Sequence, residues 1–300
     1  MLELLGMMRI LNCVMAMTGV FVGSLVALGG LGGIFSVQLL LALAAVFLIT
    51  GAGNVFNDYV DIYADKINRP KRAIPSGAVS RNSAFTVSLI LFVLGNLSAG
   101  MINGLCLTIA LINSALLILY SLFLQHKILI GNMTVGYLAG SLFLFGGATF
   151  LNERIWTVLI LMFLAMLANI AREIVKDLED IEGDRKSFLK KIASKTVTFI
   201  AERFGMTKGG VSMKYKERTM IVFAILCLMF AVAFSFLPYY YGLMKISYLI
   251  IVAFADIVFL SCVYSLLKEE KKKKGYGRIS RRLKIGMFAA LVAFIVGSLL

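Results

Sequence analysis

The chain has 300 residues, 60% of them apolar and only 15% charged, yet 30 Lys and Arg against 16 Asp and Glu leave a formal charge of +14. Soluble domains are roughly half apolar and about a quarter charged, so a mean hydropathy of +0.91 leaves too little polar surface to coat a globule, and the chain belongs in a membrane. That placement excludes nucleic acid as the partner of the basic charge. One histidine, His126, and four cysteines scattered through apolar runs exclude a His-rich metal site, a zinc knuckle and a disulfide framework.

A bilayer core takes about 20 apolar residues per helix. Runs of that length fall at about 12–33, 37–56, 84–102, 104–123, 131–150, 155–175, 219–237, 246–267 and 284–300. Barrel strands are about 10 residues long and alternate in polarity, which none of these runs does. The expectation is an all-α, polytopic membrane protein. Its nine transmembrane helices would form one domain over 1–300, a bundle around a central cavity capped by helical loops. The first run is too long for a signal-peptide core, and no small-residue cleavage site follows it.

Basic residues are retained on the cytoplasmic side of a membrane. With nine spans and a cytoplasmic N-terminus, 28 of the 30 cations fall on one face, leaving only Arg154 and Lys245 on the other. The long polar segments 57–83, 172–218 and 268–284 all lie on that face, so the chemistry is expected at a cytoplasmic mouth of a protein of the cell membrane. The run Lys271 to Lys274 reads as topogenic or lipid-surface charge.

Two of those segments carry the same acidic pattern. Asp58, Asp61 and Asp65 follow the second span, and Asp177, Asp180 and Asp184 follow the sixth. Positions i, i+3 and i+7 lie near one face of a helix, so each set is expected to stand as a column of three carboxylates. Carboxylates so placed repel one another. Oxygen ligands without His or Cys suit Mg²⁺, which binds one or two carboxylates together with substrate phosphates. Two such columns with bound Mg²⁺ would grip a diphosphate, helped by Lys66, Arg69, Lys71 and Arg72 after the first motif and Arg185 and Lys186 after the second.

The segment Asn54 to Gly77, NVFNDYVDIYADKINRPKRAIPSG, resembles the first signature of the UbiA-type intramembrane prenyltransferase superfamily, and Asp177 to Arg185, DLEDIEGDR, resembles its second. Motifs, order and span number all agree. Arg9-Ile-Leu-Asn12 and the DLEDIEGD form look most like the archaeal branch that makes digeranylgeranylglyceryl phosphate. The resemblance implies that Asn57, Asp61, Asp65, Asp180 and Asp184 coordinate Mg²⁺ on a prenyl diphosphate, supported by Asn54, Asp58 and Asp177. Ile10 stands where the family has Pro. Tyr120 is followed at the family's lysine offset by Leu124, which makes Lys127 the candidate in its stead.

The implied reaction moves a geranylgeranyl group from its diphosphate to the free hydroxyl of geranylgeranylglyceryl phosphate, a lipid phosphate acceptor. Such an acceptor needs a second anion site, for which Arg9, Arg69, Arg72, Lys127 and Arg172 are candidates; Asn12, Tyr120 and Lys66 join the expected substrate contacts. Two other readings stay open: transfer to an aromatic acceptor of quinone or haem synthesis, and transport of divalent cations or organic anions. Asp256 is the one acid expected deep in a span, as a functional group or a structural hydrogen-bonding partner. The Gly19/Gly23 and Gly136/Gly140 pairs are expected at close helix contacts inside the bundle.

Overall fold

The computed structural model describes residues 2–125, 127–151, 154–192, 209–268 and 273–299, the side chains of 2, 128, 181–192, 209–216 and 273–274 excepted. In chain order the helices are α1 (Leu2–Met8), α2 (Ile10–Leu28), α3 (Val37–Val60), α4 (Ile62–Asn68), α5 (Arg81–Gly100) and α6 (Gly104–Leu119). A π-helical turn (Tyr120–Leu124) leads to α7 (Ile128–Phe150) and α8 (Ile155–Ile192). Then come α9 (Gly209–Ser235), α10 (Leu237–Tyr240), α11 (Ile246–Leu267) and α12 (Lys273–Leu299). Among the described residues nine helices are long and apolar enough to cross a membrane, as the sequence implied, and there is no strand.

Several helices depart from the expected span ends, α8 continuing to Ile192 rather than 175 and α9 beginning at Gly209 rather than 219; two other ends have evident causes. The first stops at Leu28 rather than 33, because Gly29 takes a left-handed φ of 68° and the amides of Gly29 and Gly30 both close on Leu25 O, the glycine stop that spares a side chain the strain. The ninth begins at Lys273 rather than 284, so Arg278, Arg281, Arg282 and Lys284 lie in helix and not in a loop. Long basic side chains on an end turn keep their heads polar while the stems cover apolar surface, which lets the helix start early.

Lipid tails give apolar side chains no reason to leave them, so helix contacts in a bilayer depend on close packing of small residues. Both glycine pairs serve that purpose inside the bundle. Gly23 lies so close to α7 that a methyl group there would stand 2.1 Å from Phe143 O, and Gly146 returns the contact, 2.0 Å from Val20 O. Ser24 Oγ donates to Gly146 O at 2.9 Å across the same seam. Gly136 and Gly140 bring α7 against α8, where a methyl group would stand 3.0 Å from Met166 O and 2.6 Å from Met162 O. The outer face carries exposed Leu11, Leu40, Leu97 and Phe288, while Trp156, Tyr240 and Tyr241 are exposed at the end away from the acidic motifs, where interfacial aromatic residues gather.

Candidate active site

The two acidic motifs have different local structures. The second sits on one continuous helix, α8. The first straddles a break: α3 ends at Val60, Asp61 has a non-helical ψ of 7°, and α4 resumes at Ile62. Three carboxylates do not stand there as a single column. Around a helix, Asp58 and Asp65 are about 20° apart and Asp61 about 60° from Asp58, and the side chains divide accordingly.

Asp58 and Asp65 turn to arginines. Arg72 Nη1 reaches Asp65 Oδ2 at 2.6 Å and Asp58 Oδ1 at 3.1 Å, and Arg9 Nη2 adds a bond to Asp58 Oδ1 at 2.8 Å. Arg9 bridges α1 and α2 in a left-handed conformation, φ 54°, a backbone state that costs a non-glycine residue about 1 kcal/mol or more. The guanidinium bond to Asp58 and the paired helices on either side hold it there.

Asp61 turns instead to neutral amides. Asn57 Nδ2 donates to its Oδ2 at 3.1 Å, Gln125 Nε2 donates to its Oδ1 at 2.9 Å, and Asn57 Nδ2 also donates to Gln125 Oε1 at 3.2 Å, closing a triangle. Gln125 follows the π-helical turn, an irregularity often found at functional sites; the wider turn sets its side chain against α3. Asp177 is held in the same manner, by Asn132 Nδ2 at 3.0 Å from α7. Gln125 and Asn132 were not among the expected site residues; their only sequence signal is an amide at the polar edge of an apolar span. The two acidic sets are tied to one short segment, the first through Gln125 and the second through Asn132, seven residues apart across the start of α7.

Among the described residues, neither Asp61, Asp177 nor Asp180 has a cation within ion-pairing distance. Carboxylates oriented by amides rather than paired with cations suit a hard divalent cation. No three of the described His, Cys, Asp or Glu residues enclose an ion by themselves. Mg²⁺ keeps waters and takes substrate phosphates to complete its shell.

Below this level lies a cavity of about 710 Å³. Its polar lining is Asn12, Thr50, Asn54, Asn113, Asn169, Arg172 and Lys284, with no carboxylate, and its apolar lining includes Met15, Phe145 and Met287. Asn54 Nδ2 also donates to Met8 O at 2.8 Å, tying α3 to the break before α2. Arg172 pairs with Glu173. Of the other expected contacts, Lys66, Arg69 and Lys127 are exposed away from the cavity lining. The side chains of Asp184, Arg185 and Lys186, like the Lys271 to Lys274 run, lie outside the described residues. Asp256 accepts from Ser235 Oγ at 2.7 Å, and Tyr248 OH donates to Ser235 O at 2.6 Å, so the deep acid has its hydrogen-bonding partner on a neighbouring helix. It lines a smaller cavity of about 210 Å³ that shares Asn169 and Met287 with the first.

The sequence pattern of the UbiA prenyltransferase family matches residues 16–292. The digeranylgeranylglyceryl phosphate synthase of Methanococcoides burtonii is 41% identical over 98% of this chain and 99% of its own. That of Methanosarcina mazei is 40% identical over 98% and 97%. A solved structure described as digeranylgeranylglyceryl phosphate synthase in membranes superposes with a TM-score of 0.80 at 36% identity, covering 99% of this chain and 97% of that one. A UbiA homolog from Archaeoglobus fulgidus, solved with GPP and Mg²⁺, shares the fold with a TM-score of 0.59 at 16% identity, covering 97% and 99%. Nine apolar spans, paired acidic motifs at one end and full-length similarity converge: the chain belongs to the UbiA prenyltransferase family and is a membrane-embedded prenyltransferase.

Proposed function

We propose that the enzyme transfers a geranylgeranyl group from geranylgeranyl diphosphate to the free hydroxyl of geranylgeranylglyceryl phosphate, forming the second ether bond of an archaeal membrane lipid, and that it requires Mg²⁺. The observation that carries this reading is that Asp61 and Asp177, without a cationic partner among the described residues, are held by Gln125 and Asn132 of one short segment, above a cavity lined by two cations and no acid. The relatives' shared name supports the acceptor. The mouth is proposed to face the cytoplasm, on the strength of the basic residues gathered at that end.

In this reading Asn57, Asp61, Asp177 and Asp180 hold the ion, with Asp184 completing the second motif by its spacing. Mg²⁺, when bound, would supply the positive charge that stabilises the departing diphosphate. Asp58 and Asp65 act one step back, fixing Arg72 and Arg9 beside the mouth. The apolar chain enters the bundle, where the cavity walls exclude water. Phe145 and the thioethers of Met15 and Met287 line the path of an allylic carbon that gains positive charge as its bond to the diphosphate oxygen breaks. The acceptor oxygen bonds to that carbon, the electron pair of the broken bond leaves with the diphosphate, and the hydroxyl proton follows it.

The test is purified enzyme in detergent with geranylgeranyl diphosphate, Mg²⁺ and a panel of acceptors. Diphosphate release with a doubly prenylated glyceryl phosphate is expected, lost on chelation of Mg²⁺ and lost in Asp61→Ala or Asp180→Ala at wild-type yield. Product from aromatic acceptors alone would overturn the acceptor assignment, and activity retained in both variants would overturn the metal assignment.

A further inference from the structure

The cavity lining includes a cation that no motif marks. Lys284 enters from α12, opposite Arg172 of α8. The two helices run antiparallel and touch where a methyl group at Gly277 would stand 2.8 Å from Glu179 Oε1. Seven residues inward from that contact along each helix, nearly two full turns and about 10 Å, lie Arg172 and Lys284. The register continues one turn deeper, where Asn169 of α8 and Met287 of α12 both line both cavities. Lys284 and Arg172 therefore stand level, on facing helices.

Both cations keep donors for a ligand. Lys284 has no acidic partner among the described residues, and Arg172 uses one nitrogen on Glu173. Ionisable groups within a span that line a cavity mark ligand sites rather than topology. The other candidate cations, Arg9, Arg72, Lys66, Arg69 and Lys127, all lie outside the cavity lining. Arg172 is also five residues, about 7 Å of helix rise, deeper than Asp177, so the anion it receives is separate from one held at the carboxylates.

We propose that Lys284 and Arg172 form a second anion site that holds the phosphomonoester of the lipid acceptor, and that Lys284 is the residue that selects a phosphate-bearing acceptor. This rests on the acceptor reading above. An anion held at that depth and a diphosphate held at the mouth leave the glyceryl hydroxyl between them, beside the breaking bond. A planar Arg fork and a Lys point charge from opposite walls grip a tetrahedral phosphate from two sides.

The test is Lys284→Gln, assayed for the KM of each substrate in turn. Loss of a charge-assisted hydrogen bond should raise the acceptor KM about tenfold or more, with the donor KM within about twofold of wild type. The dephosphorylated acceptor should be used equally by variant and wild type. Lys284→Arg, which keeps the charge, should restore the acceptor KM and guards against a folding defect. Equal changes in both KM values, or none, would overturn the second site while wild-type transfer to the phosphate acceptor left the acceptor reading intact. A wild type that turns over only phosphate-free acceptors would overturn both.

Discussion

Arg72 offers the sharpest test of how the first motif is built. Arg72→Met keeps most of the aliphatic stem but leaves Asp65, whose side chain is 9% exposed, without a cation, and Asp58, 10% exposed, with Arg9 alone. Removing one partner of a buried pair costs about 3–5 kcal/mol. Here the Arg72 side chain is itself 22% exposed, so water replaces part of the lost contact, and Arg9 still neutralises Asp58. About 2–3 kcal/mol is the expected loss, and in a chain of this size that lowers Tm by roughly 5–10 °C. Thermal unfolding of the purified protein in detergent reads it directly, with Arg69→Met as the exposed control. Adding Asp65→Asn to Arg72→Met should recover part of the loss, because an amide carries no charge to leave unpaired. A Tm for Arg72→Met equal to the control, or a double variant no better than the sum of its parts, would refute the clamp.

Gln125→Ala removes one of the two amides on Asp61 and should raise the Mg²⁺ concentration for half-maximal turnover about tenfold, measured by metal titration; an unchanged titration would separate Gln125 from the site. Gly146→Val places a side chain where even a methyl group meets Val20 O at 2.0 Å, and should cost about 2–4 kcal/mol or prevent folding, seen as lost monodisperse yield against a Gly104→Val control that meets nothing within 4 Å. For orientation, Arg69→Cys should be shielded from an impermeant maleimide in intact cells and Lys245→Cys labelled, the four native cysteines being buried; the opposite pattern would invert the topology.

The spans were legible because about 20 apolar residues in a row have few alternatives in water or lipid. The site residues were legible as a set, from two copies of one spacing. Their division of labour was not. A pattern of i, i+3 and i+7 suggests one face, yet the 60° between Asp58 and Asp61 already separates two, and the break after Val60 completes the separation. Gln125 was hidden because a π-helical turn has no compositional mark, and Asn132 because one amide at a span edge resembles any other. Lys284 was hidden for a different reason: basic residues near the end of an apolar run read as loop charge, whereas α12 begins eleven residues earlier and carries Lys284 to the cavity wall.

The guanidinium clamp also bears on how the first motif can diverge. Asp58 and Asp65 share Arg72, and Asp58 also holds Arg9, so a change at any one of the four leaves a charge unpaired and the four are expected to change as a group. Asp61 has no cationic partner among the described residues and depends instead on Asn57, Gln125 and the ligand. Four letters of one signature, Asn57, Asp58, Asp61 and Asp65, are thus expected to vary under two separate rules, and covariation with Arg9 and Arg72 is the mark that would tell them apart.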